Sequence, residues 1–203
     1  MHKLIDYVCN LFIKNSPQFI GLIKVGYFAL SLFVGIVLTS PYHARISNLF
    51  GEAAVVFYIL TLIPGIAMRL GIHHSVFNLL RLYRRFIGIA MYLLVLSHVV
   101  LKKFPELIPD LSTTPTFELM GIVSLIIFLL LFLTSNNRSQ KLLGIGWVYL
   151  HKLTYIGMFF ILLHLSLQGS KNWGLLMWVT IVLELVSFYV ASRRSLPVKI
   201  RHE

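Results

Sequence analysis

Residues 146–166 read GWVYLHKLTYIGMFFILLHLS, a run in which Lys152 is the sole formally charged side chain. At ~1.5 Å of rise per residue, about 20 mostly apolar residues cross the roughly 30 Å hydrocarbon core of a bilayer. The run therefore predicts a transmembrane helix, and it carries two imidazoles, His151 and His164, into the apolar layer. Working outward, five more stretches have the same character: approximately 20–39, 51–68, 84–101, 117–134 and 173–191. Helix breakers stand between them, with Pro41 after the first, Pro105 and Pro109 after the third and Pro115 before the fourth. The expected fold is all-α, a polytopic six-helix transmembrane bundle that forms a single domain over residues 1–203. Ahead of it, Leu4, Ile5, Val8, Leu11 and Phe12 recur at helical spacing opposite Asp6, Asn10 and Lys14. That pattern predicts a short N-terminal interfacial helix in place of a cleaved signal peptide.

Composition agrees. Of the 203 residues 58% are apolar and 12% charged, so membrane lipid is the main solvent of the chain. The net charge of +11 falls in short clusters between apolar runs and gives no continuous basic face, which argues against nucleic acid as a partner. The lone cysteine, Cys9, excludes an internal disulfide, a thiolate metal site and an iron–sulfur cluster held by this chain alone.

The cationic clusters also orient the bundle. With both termini cytoplasmic, the inner side holds Lys3, Lys14, Arg69, Arg81, Arg84, Arg85, Arg138, Lys141, Arg193, Arg194, Lys199 and Arg201, and the outer side holds Arg45, Lys102, Lys103 and Lys171. Twelve cations against four favour this orientation. The outer loop between the third and fourth spans is the acidic one, through Glu106, Asp110 and Glu118.

Three of the eight histidines, His98, His151 and His164, lie within spans. Lipid offers no partner for a polar ring nitrogen, so each is a functional candidate, with a hydrogen bond to a neighbouring helix as the competing reading. The third and fifth spans run in the same direction, and His98 and His164 each stand a few residues from the outer end. They can face each other at one level, and two facing neutral imidazoles are the ligand set of a low-spin b-type haem. His151 precedes His164 by thirteen residues, which places it about 20 Å deeper, a separation suited to a second haem. On an ideal helix the two side chains point about 140° apart. They serve different neighbours, or the helix is distorted, with Gly157 as the expected place. The inner site is also short of an imidazole, because Arg84 stands where the third helix would carry the matching ligand.

These residues carry a resemblance. Thr134-Ser135, Arg138, Leu143-Gly144, Trp147, Leu150-His151-Lys152, Tyr155 and His164 follow one pattern, and Arg84-Arg85, Gly88 and Ser97-His98 a second. Together they resemble the ferric reductase-like transmembrane domain family. Within it they resemble the branch of haem-binding membrane subunits that serve periplasmic methionine-sulfoxide reductases. The lone histidine on the third helix is more similar to that branch than to the NADPH oxidase branch, which carries two. Gly51-Glu52 departs from the branch's Gly-Arg at the start of the second span. The resemblance implies haem ligation by His98, His151 and His164, with His98 and His164 sharing the outer haem.

Arg84, Arg85 and Arg138 cluster at the inner face, where they can pair with haem propionates or with the phosphate of a flavin such as FMN. A topology signal alone explains each equally well. Glu184 in the last span is a buried carboxylate, read as an interhelical hydrogen bond or a proton-path residue. Gly144-Ile145-Gly146 is a fragment of a dinucleotide fingerprint with no preceding strand, and is not a nucleotide site.

The expected function is an electron conduit in a bacterial inner membrane, holding one or two b-type haems. No stretch is long enough for a soluble flavin or nicotinamide domain, so a separate donor is expected, a cytoplasmic flavin reductase or a quinol. The resemblance implies a periplasmic reductase subunit as acceptor, with ferric iron as an alternative. A histidine-lined proton or metal transporter is the competing function, and it lacks the internal repeats common in transporters.

Overall fold

The computed structural model of the protein describes residues 2–104 and 113–195. Nine helices and no strand occur among the described residues: α1 (His2–Lys14), α2 (Ser16–Leu38), α3 (His43–Leu70), α4 (Ser75–Lys103), α5 (Thr116–Leu133), α6 (Asn137–Leu143), α7 (Ile145–His151), α8 (Leu153–Leu167) and α9 (Lys171–Ser195). Six segments are long and apolar enough to cross a membrane: α2, α3, α4, α5, α7 with α8, and α9. The six-span expectation holds, and the chain is an all-α polytopic bundle. Pro105, Pro109, Glu106, Asp110, Lys199 and Arg201, which entered the sequence reading, lie outside the described residues.

The ends are set by local chemistry. α3 runs unbroken through Pro64 and ends at Gly71, whose φ of 74° lets Gly71 N–H reach Met68 O at 3.1 Å and Ile72 N–H reach Ala67 O at 2.9 Å. His74 caps α4 by accepting from Val76 N–H at 3.3 Å, and Asn136 caps α6 by accepting from Ser139 N–H at 2.8 Å. Gly144, at φ 52°, turns the chain from α6 into α7, which is the use the fold makes of the Gly144-Ile145-Gly146 stretch.

α1 lies along the start of α4, tied by Tyr83 Oη donating to Phe12 O at 3.1 Å and by Ser75 Oγ donating to Asp6. Leu4, Tyr7, Val8 and Leu11 face outward, as an interfacial helix requires. This end of the bundle is called the α1 side below, and the opposite end the far side. α2 is peripheral, pinned to α4 by Tyr27 Oη donating to Phe86 O at 2.6 Å.

The principal packing joins α3 to α4, α5 to α8, and α9 to both α3 and α8. Tyr58, Leu62, Met91, Phe128, Met158 and Met177 fill the buried centre, with the Tyr58 and Phe128 rings 5.2 Å apart. Tyr58 Oη donates to Thr154 O at 2.6 Å and fastens α3 to α8.

The fifth span is distorted, but at Lys152 and not at Gly157. There the bonding shifts to i→i−3, Lys152 N–H to Tyr149 O at 3.1 Å and Tyr155 N–H to Lys152 O at 3.0 Å. Such a turn winds about 20° further per residue than an α-helix, which narrows the angle between His151 and His164. Gly157 instead admits a close neighbour: a Cβ there would lie 2.8 Å from the Phe128 ring.

Candidate functional site

His98 stands in the last turns of α4 and His164 in the last turn of α8. These two helices make at most marginal contact, since α4 packs on α3 and α8 on α5. Between them lies a cavity of about 470 Å³, a size usual for cofactor sites. Its wall includes both histidines, apolar Val55, Met91 and Leu125, and Lys102, Lys103 and Glu118 towards the far side.

The two imidazoles are seated alike. His98 Nδ1 lies 2.8 Å from Ser47 O on α3, and His164 Nδ1 lies 2.7 Å from Phe117 O on α5. A carbonyl only accepts, so each Nδ1 carries the proton and each Nε2 is left with its lone pair. Ser47 adds to the hold on His98: its hydroxyl donates to His98 O at 2.9 Å, and its Oγ lies 3.2 Å from His98 Nδ1. Each ring also rests on a glycine one turn beyond its acceptor, Gly51 for His98 and Gly121 for His164. Neither Nε2 has a hydrogen-bond partner among the described residues, and neither is sealed from the cavity.

This donor set is selective. No group of three His, Cys, Asp or Glu side chains able to hold a metal ion occurs among the described residues. A bare zinc ion wants at least three protein ligands, whereas haem brings four equatorial nitrogens and needs two axial imidazoles at most. The residues present fit a haem.

The α1 side is built differently. His151 does not line the cavity. Its Nε2 lies 3.3 Å from Thr134 Oγ1, and its ring lies 4.0 Å from that of Trp147, whose Nε1–H donates to Thr134 O at 3.0 Å. Arg85 is committed to the fold, donating from Nε to Ser135 O at 2.8 Å and from its Nη1 to Asn137. Arg84 and Arg138 are exposed and make no hydrogen bond or ion pair among the described residues. The structure thus brings His98 and His164 together and leaves His151 apart from them.

Glu184, on α9, forms a buried ion pair with Arg69 of α3, and Arg69 Nε also donates to Ser187 Oγ at 2.8 Å. The Arg69 guanidinium stacks 4.0 Å over the Phe188 ring. The expected interhelical bond is present in charged form.

The profile described as "Ferric reductase like transmembrane component" matches residues 50–162, more than half of the chain. The chain belongs to this family. Among curated proteins, it is 37% identical over 134 residues to the "Protein-methionine-sulfoxide reductase heme-binding subunit MsrQ" of Brucella ovis. It is 35% identical over 133 residues to the protein of that name from Brucella melitensis biotype 2. Each match covers 62% of this chain and 57% of the relative, so the chain spans little more than half the length of the relatives it matches. No solved structure matches. The ferric reductase-like region includes His98 and His151 and stops just short of His164.

Ser47, Gly51 and Gly121 are the functional candidates that sequence reasoning passed over. Gly51 drew notice only as part of a departure from the family pattern. The available signal was a small residue within a span at a level with a histidine of the next helix, where close approach of backbones is usual.

Proposed function

We propose that this chain is a b-type haem membrane subunit that carries electrons across a bacterial inner membrane. The observation that carries this reading is the pair of Nε2 lone pairs on His98 and His164, both opening on one cavity and both backed by an Nδ1–H bond to a backbone carbonyl. Such a bond fixes the tautomer and ring orientation and raises the basicity of the ligating nitrogen. The relatives' printed name, a heme-binding subunit, supports the same reading.

A haem bound there supplies one-electron chemistry at iron. The chain's own residues do the rest. His98 and His164 would hold the haem iron, and the apolar wall of Val55, Met91 and Leu125 would limit water around it. Lys103 is held by Glu118 at 2.6 Å, which leaves Lys102 as the wall cation available to a propionate. Among the described residues no second imidazole stands by His151, so the reading is one haem per chain.

The α1 side carries most of the cations and is placed in the cytoplasm, with both termini. There the exposed Arg84 and Arg138 suit the FMN phosphate of a flavin reductase as donor, with a membrane quinol as the alternative donor. The far side faces the periplasm. By the name of the relatives, its acceptor is the catalytic subunit of a methionine-sulfoxide reductase.

The test is the visible spectrum of detergent-purified protein, oxidised and dithionite-reduced, with haem quantified per chain. The expected result is one haem with sharp reduced b-type bands, lost in His98→Ala and in His164→Ala. A colourless protein from haem-replete cells overturns the reading and favours transport through the same histidines.

A further inference from the structure

The two cavity histidines share a construction beyond their hydrogen bonds. An added Cβ at Gly51 would lie 3.0 Å from His98 Nδ1, and one at Gly121 would lie 2.9 Å from His164 Nδ1. Both distances are below ordinary van der Waals contact. In each case the carbonyl acceptor precedes the glycine by four residues, Ser47 before Gly51 and Phe117 before Gly121. The Nδ1 edge of each ring therefore lies against one helical turn whose missing side chain makes room for it. Among the described residues no other glycine seats an imidazole in this way: the close neighbour of Gly157 is the Phe128 ring, which carries no ligating atom. Gly26 and Gly35 have no atom within 4 Å of an added Cβ, and Gly88 meets only a Thr61 methyl at 3.9 Å.

We propose that Gly51 and Gly121 are positioning residues, seats that hold the imidazoles of His98 and His164 in ligating orientation, and that Ser47 makes the His98 seat the tighter of the two. This proposal rests on the reading of those histidines as cofactor ligands.

The chemistry follows from what can yield. The three atoms nearest a methyl group on either glycine all belong to the histidine ring, so the ring can swing away and the helices need not separate. Swinging breaks the 2.7–2.8 Å Nδ1–H bond and turns Nε2 from the cavity axis. The loss falls on ligation, and the fold stands. The seats are also unequal. His98 is held through Ser47 O, Ser47 Oγ and the return bond from the Ser47 hydroxyl to His98 O, whereas His164 has Phe117 O alone. Removing the Ser47 hydroxyl loosens His98 and leaves its principal acceptor in place.

The experiment compares wild type, Gly51→Ala, Gly121→Ala, Ser47→Ala and the control Gly26→Ala, each purified in detergent. Elution as a single sharp peak in gel filtration reports folding. Haem per chain, competition for haem with apomyoglobin, and the low-spin ferric g-values in electron paramagnetic resonance report ligation. Gly51→Ala and Gly121→Ala are expected to fold and to lose at least about 10-fold in haem affinity, the usual scale for an outer-shell partner of a metal ligand. Ser47→Ala is expected to keep its haem with shifted g-values, and Gly26→Ala to match wild type. Haem-replete wild type beside glycine variants of equal affinity and unchanged g-values overturns this proposal alone. Should either glycine variant aggregate, Ser47→Ala decides, and unchanged g-values there overturn it. A wild type without haem overturns the ligation reading itself.

Discussion

His164 and His151 stand on one transmembrane segment, yet their rings are held in different ways. His164 gives its Nδ1–H to a backbone carbonyl and keeps Nε2 for a cavity it shares with His98. His151 presents Nε2 to Thr134 Oγ1 at 3.3 Å and stacks on Trp147. On the far side the bundle leaves a space between α4 and α8, and the polar groups around it are arranged to free a lone pair. On the α1 side several polar groups pair with one another: Arg85 with Ser135 and Asn137, Arg69 with Glu184 and Ser187, and Arg194 with the carbonyls of Arg69 and Leu70. Within a membrane an ionisable side chain marks a ligand site when its donor atom lacks a protein partner, and a clamp when every donor has one.

The largest effect breaks the comparison outright if it fails. Replacing His98 or His164 by Ala is expected to abolish haem, whereas His151→Ala is expected to retain it in full, judged by pyridine haemochromogen content per chain. A half-loss in His151→Ala would place a second haem on the α1 side and make the two halves alike.

The next effect tests the clamp. Glu184→Ala leaves the partly buried Arg69 guanidinium with only Ser187 and the Phe188 ring, and loss of one partner of a buried pair costs up to about 3–5 kcal/mol. Denaturation in mixed micelles should show that loss, with the haem spectrum unchanged. Replacing Arg69 and Glu184 together by Met and Leu should recover much of it, because the pair's own desolvation cost is then absent as well. A spectral change in Glu184→Ala would tie the ion pair to the cofactor and dissolve the distinction.

Gly157 offers a contrast with the two glycine seats. Its added Cβ would meet the Phe128 ring at 2.8 and 2.9 Å, and Phe128 is almost fully buried. That ring has nowhere to swing. Gly157→Ala is therefore expected to destabilise by about 1–3 kcal/mol, as overpacking does, with haem content retained. Gly121→Ala should show the reverse, with stability kept and haem lost.

These contrasts mark what the sequence could disclose. Six apolar runs and the amphipathic first turns were legible because periodicity and length reflect bulk solvent preference. The His98–His164 pairing was legible because both stand at equal depth on parallel spans. The bend was misplaced at Gly157 because glycine marks close packing as readily as a hinge, while the 3₁₀ turn occurs at Lys152, a residue type that favours helix. Arg69 looked like one more topology charge. α3 extends to Leu70 and brings it against Glu184, a pairing between residues 115 positions apart that no local pattern signals. The glycine seats were hidden for the same reason: the partner of each lies on another helix.

The smallest expected effect is the sharpest on the α1 side. Thr134 Oγ1 is the hydrogen-bond partner of His151 Nε2, at a length near the limit for such a bond. Interhelical hydrogen bonds in membranes contribute about 0.6 kcal/mol on average, so Thr134→Val should lower stability by about that amount. Thr134 Oγ1 also donates to Leu130 O at 2.7 Å, within its own helix, so the substitution removes a local bond as well and the shift stays small. If His151 is a structural histidine, haem content, reduced spectrum and ferric g-values all remain those of wild type. If His151 ligates a second haem through Nε2, its hydrogen bond to Thr134 competes with ligation. Valine then frees the ring, and haem content or g-values change while stability scarcely moves. A spectroscopic change without a stability change would thus reverse the assignment of the two halves, and unchanged spectra would restrict haem to the far side.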